Sequence, residues 1–373
     1  VKNKAILHIC NDFLGSGVYK ELYTQLDIHN VRQVIFSPMR DRRRMQKNDF
    51  SFKTEKSSII YSGLLRTYHR LLFNTKINFL FRSLIDQIEV KGIGLSHATT
   101  LLSDGALAYK IFKKYDIPYI VTVRSTDVDV FLKFRPDLLL LALKVVKNAH
   151  QIIFISKAIE KKFLSHYFLR CFSSLVRSKS CTIYNGVNRI WLDNNLPKRD
   201  LMPNKVLYVG TFIKRKRLQE LIAAIIQLRE LFPKIRLCVV GGRGRMERKI
   251  MQLIQKNDFI EYKGLVENTD DLIQIFRENH IFAMPSYNET FGLVYIEALS
   301  QGLPILMGKG EAIDGILENV GETVNPHSVM SIKEGLMTII SNYPNYEINF
   351  NDIQQFNWEK ISKSYLKMYN EIL

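Results

Sequence analysis

The chain has 373 residues, 46% hydrophobic and 24% charged, with a formal net charge of +17. That balance belongs to a globular protein and excludes a disordered one, and the length fits two ordinary domains or one large one. The charge is uneven: residues 1–200 hold 33 Lys and Arg against 16 Asp and Glu, residues 201–373 hold 20 against 20. A basic half suits nucleic acid, an anionic membrane or an acidic substrate, with a solvated Lys-rich surface as the plain alternative.

The opening "VKNKAILHIC" is strand-like, with too short an apolar part for a signal peptide. "KAILHIC" (4–10) leads into "NDFLGSG" and an amphipathic stretch; "VRQVIFS" (31–37) is a second strand, followed by the polar "RDRRRMQKNDFSFKTEKSS". Further strands are expected at 92–98, 118–124 and 151–156, separated by helices at about 104–116, 137–149 and 157–173. The greasiest run, "DLLLLALKVV" (137–146), carries Lys144 and falls short of the roughly 18–20 apolar residues that span a bilayer. "WLDNNLPKRDLMPN" (191–204) lacks periodicity and reads as a linker, assigned to 196–204. The alternation then restarts with strands at 205–210, 234–242, 259–264, 281–286 and 303–308 and helices from about 216, 245 and just after Gly292. Residues 356–373 form a terminal helix that packs back on the body. Short β-branched runs alternating with helical patterns predict two doubly wound α/β domains, 1–195 and 205–355, with ligands outside the carboxyl ends of the strands, in a cleft between the domains. Cys10, Cys171, Cys181 and Cys238 show no metal-ligand or CxxC spacing and read as reduced thiols of a cytosolic protein.

The most informative stretch is "YNETFGLVYIEALSQGLPIL" (287–306). It follows the strand "IFAMPS", so its loop lies at a sheet's carboxyl edge and its helix starts near Phe291. Amides opening a helix lack partners and carry about half a positive charge, and Gly292 lets a phosphate approach them. Glu289 before the helix and Glu297 within it can each accept hydrogen bonds from the hydroxyls of a sugar ring or a ribose. "KRKR" (214–217) places four cations ahead of another helix, where they oppose its dipole; a solvated helix start is the alternative. "DFLGSGVYK" (12–20) brings Gly15 and Gly17 to the first strand's end, but Lys20 occupies the third glycine position of a dinucleotide fingerprint, so an ordinary tight turn competes.

"NETFGLVYIEALSQGLP" resembles the E-x7-E segment of the family-4 retaining glycosyltransferases, which adopt the GT-B fold of two Rossmann-like domains. The resemblance extends over nearly the whole length: "YVGTFIKRKRLQELIAAI" is similar to the strand–loop–helix that holds the donor pyrophosphate, "IYNGVN" to the P-N-G-V-D turn with Tyr184 in place of Pro, and "VVGGRGRM" and "YKGLVENTDDLIQIF" to the segments between. It implies that Glu289 contacts donor sugar hydroxyls, that the amides of Thr290, Phe291, Gly292 and Leu293 meet the distal phosphate or sugar, that Glu297 binds the ribose, and that Lys216 binds the pyrophosphate beside Gly210. Thr211 stands where the family has Arg, which turns attention to Arg215 or Arg217. In "VTVRSTDVDVF" (121–131) Arg124 replaces the family's His and Asp127 keeps its Asp. Arginine cannot act as a base at neutral pH, so Arg124 is expected to bind an acidic or phosphorylated acceptor, or the donor. Asp127 and Asp129 mimic a metal-binding D-x-D, discounted because this fold neutralises pyrophosphate with lysine and helix ends. His97 is either an acceptor contact or a satisfied structural histidine.

Arg40, Arg42–Arg44 and the stretches 66–82 and 161–179 mix cations with Phe, Leu and Tyr, as suits an anionic lipid surface; core helices with solvated edges compete. The expectation is a cytoplasmic, peripherally membrane-associated hexosyltransferase that moves a sugar from a nucleotide-sugar donor to a glycan or lipid-linked acceptor, in envelope polysaccharide or glycolipid synthesis. No metal, other cofactor or nucleic acid takes part. A basic nucleic-acid or anionic-surface binder on a degenerate scaffold is the alternative.

Overall fold

The computed structural model describes residues 4–198, 202–311 and 313–373. Residues 1–3 of the expected first domain and 199–201 of the expected linker lie outside them. The chain forms two compact units, the first up to Gly186 together with Trp358–Leu373, the second Val187–Asn357. The boundary differs from the linker expected at 196–204. Trp191 and Leu192 are buried in the short helix Arg189–Asp193, and the Trp191 ring stands edge-on to Phe276 at 5.1 Å. Asparagine and proline around those two apolar residues hide the packing in the sequence pattern.

Among the described residues the first unit carries β1 (Ala5–Ile9), β2 (Gln33–Ser37), β3 (Ser58–Tyr61), β4 (Ile93–Ala98), β5 (Tyr119–Val123), β6 (Gln151–Phe154) and β7 (Ser180–Thr182). They pair in parallel in the order β3-β2-β1-β4-β5-β6-β7. β1, β2, β4 and β5 are buried at every position, the mark of strands covered on both faces. One face packs a core of Leu7, Phe36, Leu107, Val121 and Phe154. The other packs Ile6, Tyr23, Ile35 and Ile120 against Trp358, Ile361, Tyr365 and Tyr369 of the terminal helix Trp358–Ile372. Among the described residues no helix is long and apolar enough to cross a membrane.

The second unit carries β8 (Lys205–Thr211), β9 (Arg236–Gly242), β10 (Ile260–Gly264), β11 (Ile281–Met284), β12 (Ile305–Gly308) and β13 (Gly321–Val324), parallel in the order β10-β9-β8-β11-β12-β13. The strands absent from the sequence expectation, β3, β7 and β13, all lie at sheet edges, where half-exposed residues leave no apolar run. The helix expected over 157–173 stops at Ser165 and yields to a 3-10 turn and a short helix from Ser173.

The reversal at the order β9-β8-β11 brings the ends of β8 and β11 together, the switch point where such sheets take ligands. β9 closes the other side. Gly241 there has φ +131°, and a β-carbon on it would stand 2.0 Å from the Gly210 carbonyl oxygen. Gly241→Ala is expected to lower the unfolding free energy by about 1–3 kcal/mol, read from the urea midpoint; an unmoved midpoint would mean that the two strand ends relax apart freely.

Candidate active site

β11 ends at Met284, and the chain loops outward before turning into the helix Leu293–Ser300. That helix begins just after Gly292, where the alternation places it, rather than at Phe291. Gly292 sits in the left-handed region at φ +74° and serves as N-cap, so the helical dihedrals start at Leu293. A β-carbon on Gly292 would come within 2.6 Å of the Tyr295 ring, so glycine is required twice over. The Tyr295 hydroxyl donates back to the Met284 carbonyl at 2.5 Å and lies 3.1 Å from Ser286 Oγ, tying the helix to the strand it follows. Among the described residues the amides of Gly292 and Leu293 donate to no other group; Thr290 and Phe291 have partners elsewhere.

Glu289 lies in the loop, 8% exposed. Its Oε2 accepts from Lys216 Nζ at 2.5 Å and from Arg215 Nη1 at 3.4 Å, and its amide donates to Glu311 Oε2 at 3.0 Å. Arg215 also donates to the Asn288 carbonyl at 3.3 Å, and its own carbonyl accepts from the Tyr287 amide. The loop after β8 is thus stitched to the loop after β11 from both sides. Burial draws the Lys216 ammonium down from the usual lysine range, and the Glu289 carboxylate pushes back. Arg217 turns another way. It is buried, with φ +56°, engages Glu220 and His327, and stacks on the Tyr287 ring at 4.7 Å. Of the two arginines near Thr211, Arg215 reaches Glu289.

Glu297 lies four residues beyond Leu293, one turn along the same helix face. Its carboxyl has no hydrogen-bond or ion-pair partner among the described residues, and burial pushes it up to about 7. A partly exposed carboxyl with no protein partner, one turn from open amides, can accept from the hydroxyls of a ligand.

Residues 192–352 match the family model described as glycosyl transferases group 1. An uncharacterized glycosyltransferase of Methanocaldococcus jannaschii is 28% identical over 296 residues, covering 76% of this chain and 77% of that one. The O-antigen chain mannosyltransferase B of Escherichia coli is 27% identical over 172 residues, 44% of this chain and 45% of its own. Among solved structures, sucrose-phosphate synthase from Thermosynechococcus elongatus aligns over 99% of both chains with TM-score 0.77 at 20% identity. A trehalose-6-phosphate structure from Escherichia coli, bound with UDP-2-fluoro glucose, aligns over 99% of this chain and 100% of its own with TM-score 0.74 at 11% identity. Residues 192–352 carry the group 1 glycosyltransferase match, and the chain as a whole has the GT-B fold of a glycosyltransferase.

In the first unit of this glycosyltransferase the expected acceptor residues separate. Asp127 is fully buried. Its carboxylate accepts from the amides of Leu101 (3.1 Å), Leu102 (3.3 Å) and Arg124 (3.0 Å), and burial still lifts it to about 6. An Asp that joins the ends of β4 and β5 in this way has no oxygen to offer an acceptor. His97 is also interior, 2.7 Å from the Tyr369 hydroxyl and 2.9 Å from Thr122 Oγ1. Burial, then the charge of Arg124, press it down to about 3, so it is a neutral structural histidine. Arg124 remains half-exposed, its Nε on the Thr99 carbonyl at 3.0 Å and its guanidinium 4.8 Å over the Tyr19 ring. Gly15 follows the turn in which its amide donates to the Asp12 carbonyl at 3.0 Å, and a β-carbon there would only displace the Asp12 side chain, whereas Gly17 opens the helix Gly17–Ile28 with free space around it.

Sequence reasoning missed Glu311 and Tyr295, which hold the Glu289 loop. The "GKGE" after β12 is a signal for the first: Gly308 lets this loop lie against Ser286, where a β-carbon would stand 2.1 Å from its carbonyl oxygen. Asp127→Ala is expected to lower the unfolding free energy by about 3 kcal/mol or more, because two buried amides and a part-buried one lose their acceptor. Denaturant titration checks this, and a loss below about 1 kcal/mol would mean that water replaces the carboxylate.

Proposed function

We propose that this glycosyltransferase moves a sugar from a nucleotide diphosphate sugar to a hydroxyl of a glycan or lipid-linked acceptor, with retention at the anomeric carbon. One juxtaposition carries the reading: a carboxylate held by two cations, open amides at a helix start, and an unpartnered carboxyl one turn further on. Glu297 accepts from the two ribose hydroxyls, the amides of Gly292 and Leu293 from the N-terminal end of the helix take phosphate oxygens, and Glu289 takes hydroxyls of the transferred sugar. Lys216 and Arg215 stabilise the charge that grows on the leaving diphosphate as its bond to the anomeric carbon breaks. The acceptor oxygen bonds to that carbon on the face the diphosphate leaves, and its proton passes to the departing phosphate oxygen. Retention and this front-face route rest on the family resemblance. The UDP-2-fluoro glucose held by one structural neighbour supports a nucleotide-sugar donor.

The acceptor falls to the basic first unit. The relative that acts on the O-antigen chain supports an envelope glycan or glycolipid. Leu71, Leu72, Phe134 and Leu140 are exposed among the cations of that unit, which supports peripheral attachment to an anionic membrane from its cytoplasmic face. Two cations beside Glu289 supply the charge that a metal supplies in other transferases, so the proposed reaction is metal-independent.

Titrating the chain with UDP-, GDP- and ADP-sugars is expected to release or absorb heat with at least one of them; silence with all overturns the reading. With that donor, Lys216→Ala is expected to lower kcat about 100-fold. Glu297 adds a pH signature. Its carboxyl, up at about 7, is mostly protonated at pH 6 and mostly ionised at pH 8, and only the ionised form accepts from both ribose hydroxyls. Donor KM is therefore expected to fall as pH rises from 6 to 8. Glu297→Gln, neutral throughout, should lose that dependence and keep a high KM; an unaltered profile would remove Glu297 from the ribose.

A further inference from the structure

A second charged site lies wholly in the first unit. A cavity of about 430 Å³ is lined by Arg40, Arg66, Arg70 and Lys76 with Phe73 and Phe131, and among the described residues no Asp or Glu lines it. Arg40 follows β2, Arg66 and Arg70 follow β3, and Phe131 follows β5, so the cavity opens at the carboxyl edge of this sheet. The three arginines are exposed and Lys76 is 6% exposed, which puts guanidinium groups at the mouth and an ammonium at the floor.

Lys76 is a costly residue to place there. Its Nζ donates to a neutral hydroxyl, Ser103 Oγ, at 3.1 Å, and sits 5.4 Å from the centre of the Phe73 ring. Asp104, whose charge favours the ammonium, gives its Oδ2 to Asn11 and Thr99. Among the described residues no carboxylate forms an ion pair with Arg40, Arg66, Arg70 or Lys76. Lys76 also stands in the first turn of the helix Phe73–Ile85, which has no acidic residue there, so the helix dipole adds to its charge. A buried ammonium that meets its nearest carboxylate only through space, without an ion pair, gains from an anion that enters and bonds it directly.

The rim has a different character. Leu71 is 79% exposed, Leu72 54% and Phe134 65%. Leu71 and Leu72 join two lining residues, and Arg135, next to Phe134, donates to the Arg70 carbonyl at 3.5 Å. Four cations within and bare hydrocarbon beside them match one kind of molecule. We propose that this cavity holds the phosphate or diphosphate of an amphiphilic acceptor whose hydrocarbon chain lies across Leu71, Leu72 and Phe134. The inference rests on the reading that the basic unit takes the acceptor, and it names the class: a lipid-linked phosphate ester rather than a water-soluble one.

The test is titration of the full chain with geranyl diphosphate, set against inorganic pyrophosphate and glucose 6-phosphate. Geranyl diphosphate is expected to bind more tightly than either, and Arg66→Ala with Arg70→Ala, or Lys76→Met alone, to weaken it roughly 10- to 100-fold, the worth of one or more charge-assisted hydrogen bonds. Lys76→Met keeps the volume and removes the buried charge, so it should melt at a higher temperature while binding less; a lysine with a purely structural role would lose stability instead. Titrating the same proteins with the nucleotide sugar reports on the other unit separately, so failure here is distinguishable from failure of the donor reading. Unchanged geranyl diphosphate affinity in both variants overturns the cavity as an anion site, and equal affinity for the hydrocarbon-free phosphates overturns the lipid.

Discussion

The candidate donor site turns on one contact, Lys216 Nζ against Glu289 Oε2 at 2.5 Å with both side chains largely removed from water. A buried pair of this kind is weak evidence for stability, because desolvating two ions offsets most of their attraction. What it does secure is position. The carboxylate belongs to the loop after β11 and the ammonium to the loop after β8, so the pair fastens together two strand ends that the sheet order makes neighbours. Arg215 adds a second cation, and the Glu311 carboxylate holds the Glu289 amide. Both cations bond the same Glu289 oxygen, so donor hydrogens on each stay available to an entering anion.

The surrounding fold works to hold those loops in non-helical, non-extended paths. Gly292 and Asn288 adopt positive φ, and Arg217 does so on the opposite loop. Tyr295 reaches back to Met284, and Glu311 receives the Glu289 amide. These are local strains and local restraints, and each is set by a neighbour from a different element. Backbone strain of this sort persists only where packing over-determines it.

That division explains what was legible in the sequence. The Glu289–Glu297 spacing, Gly292 and the cations at 214–217 are contiguous, so their chemistry can be read along the chain. Buried central strands announce themselves as unbroken apolar runs, and so both doubly wound sheets are visible in outline. Glu311 has only the faint signal of the glycines before it and Tyr295 has none, because their roles depend on which loops meet, and that is decided by strand order rather than by spacing. Asp127 shows the converse. In sequence it stands beside Arg124 at a strand end like an acceptor ligand, yet the neighbouring loop presents two more amides to it, and its oxygens are consumed within the fold. The edge strands β3, β7 and β13 escaped for a plainer reason, being too short and too exposed to carry a pattern.

Lys216 and Lys76 make the same point about function from opposite directions. Both are buried lysines at the carboxyl edge of a parallel sheet, and burial draws both ammonium groups down, Lys76 to about 8. Lys216 has a carboxylate at hydrogen-bond distance; Lys76 has a serine hydroxyl. The first is compensated within the protein and can exchange one anionic partner for another. The second is compensated only through space, by Asp104, whose Oδ2 is engaged by Asn11 and Thr99. The excess of cations in residues 1–200 is therefore not merely a surface property. Part of it lines a cavity, with Lys76 buried and three arginines exposed at the opening.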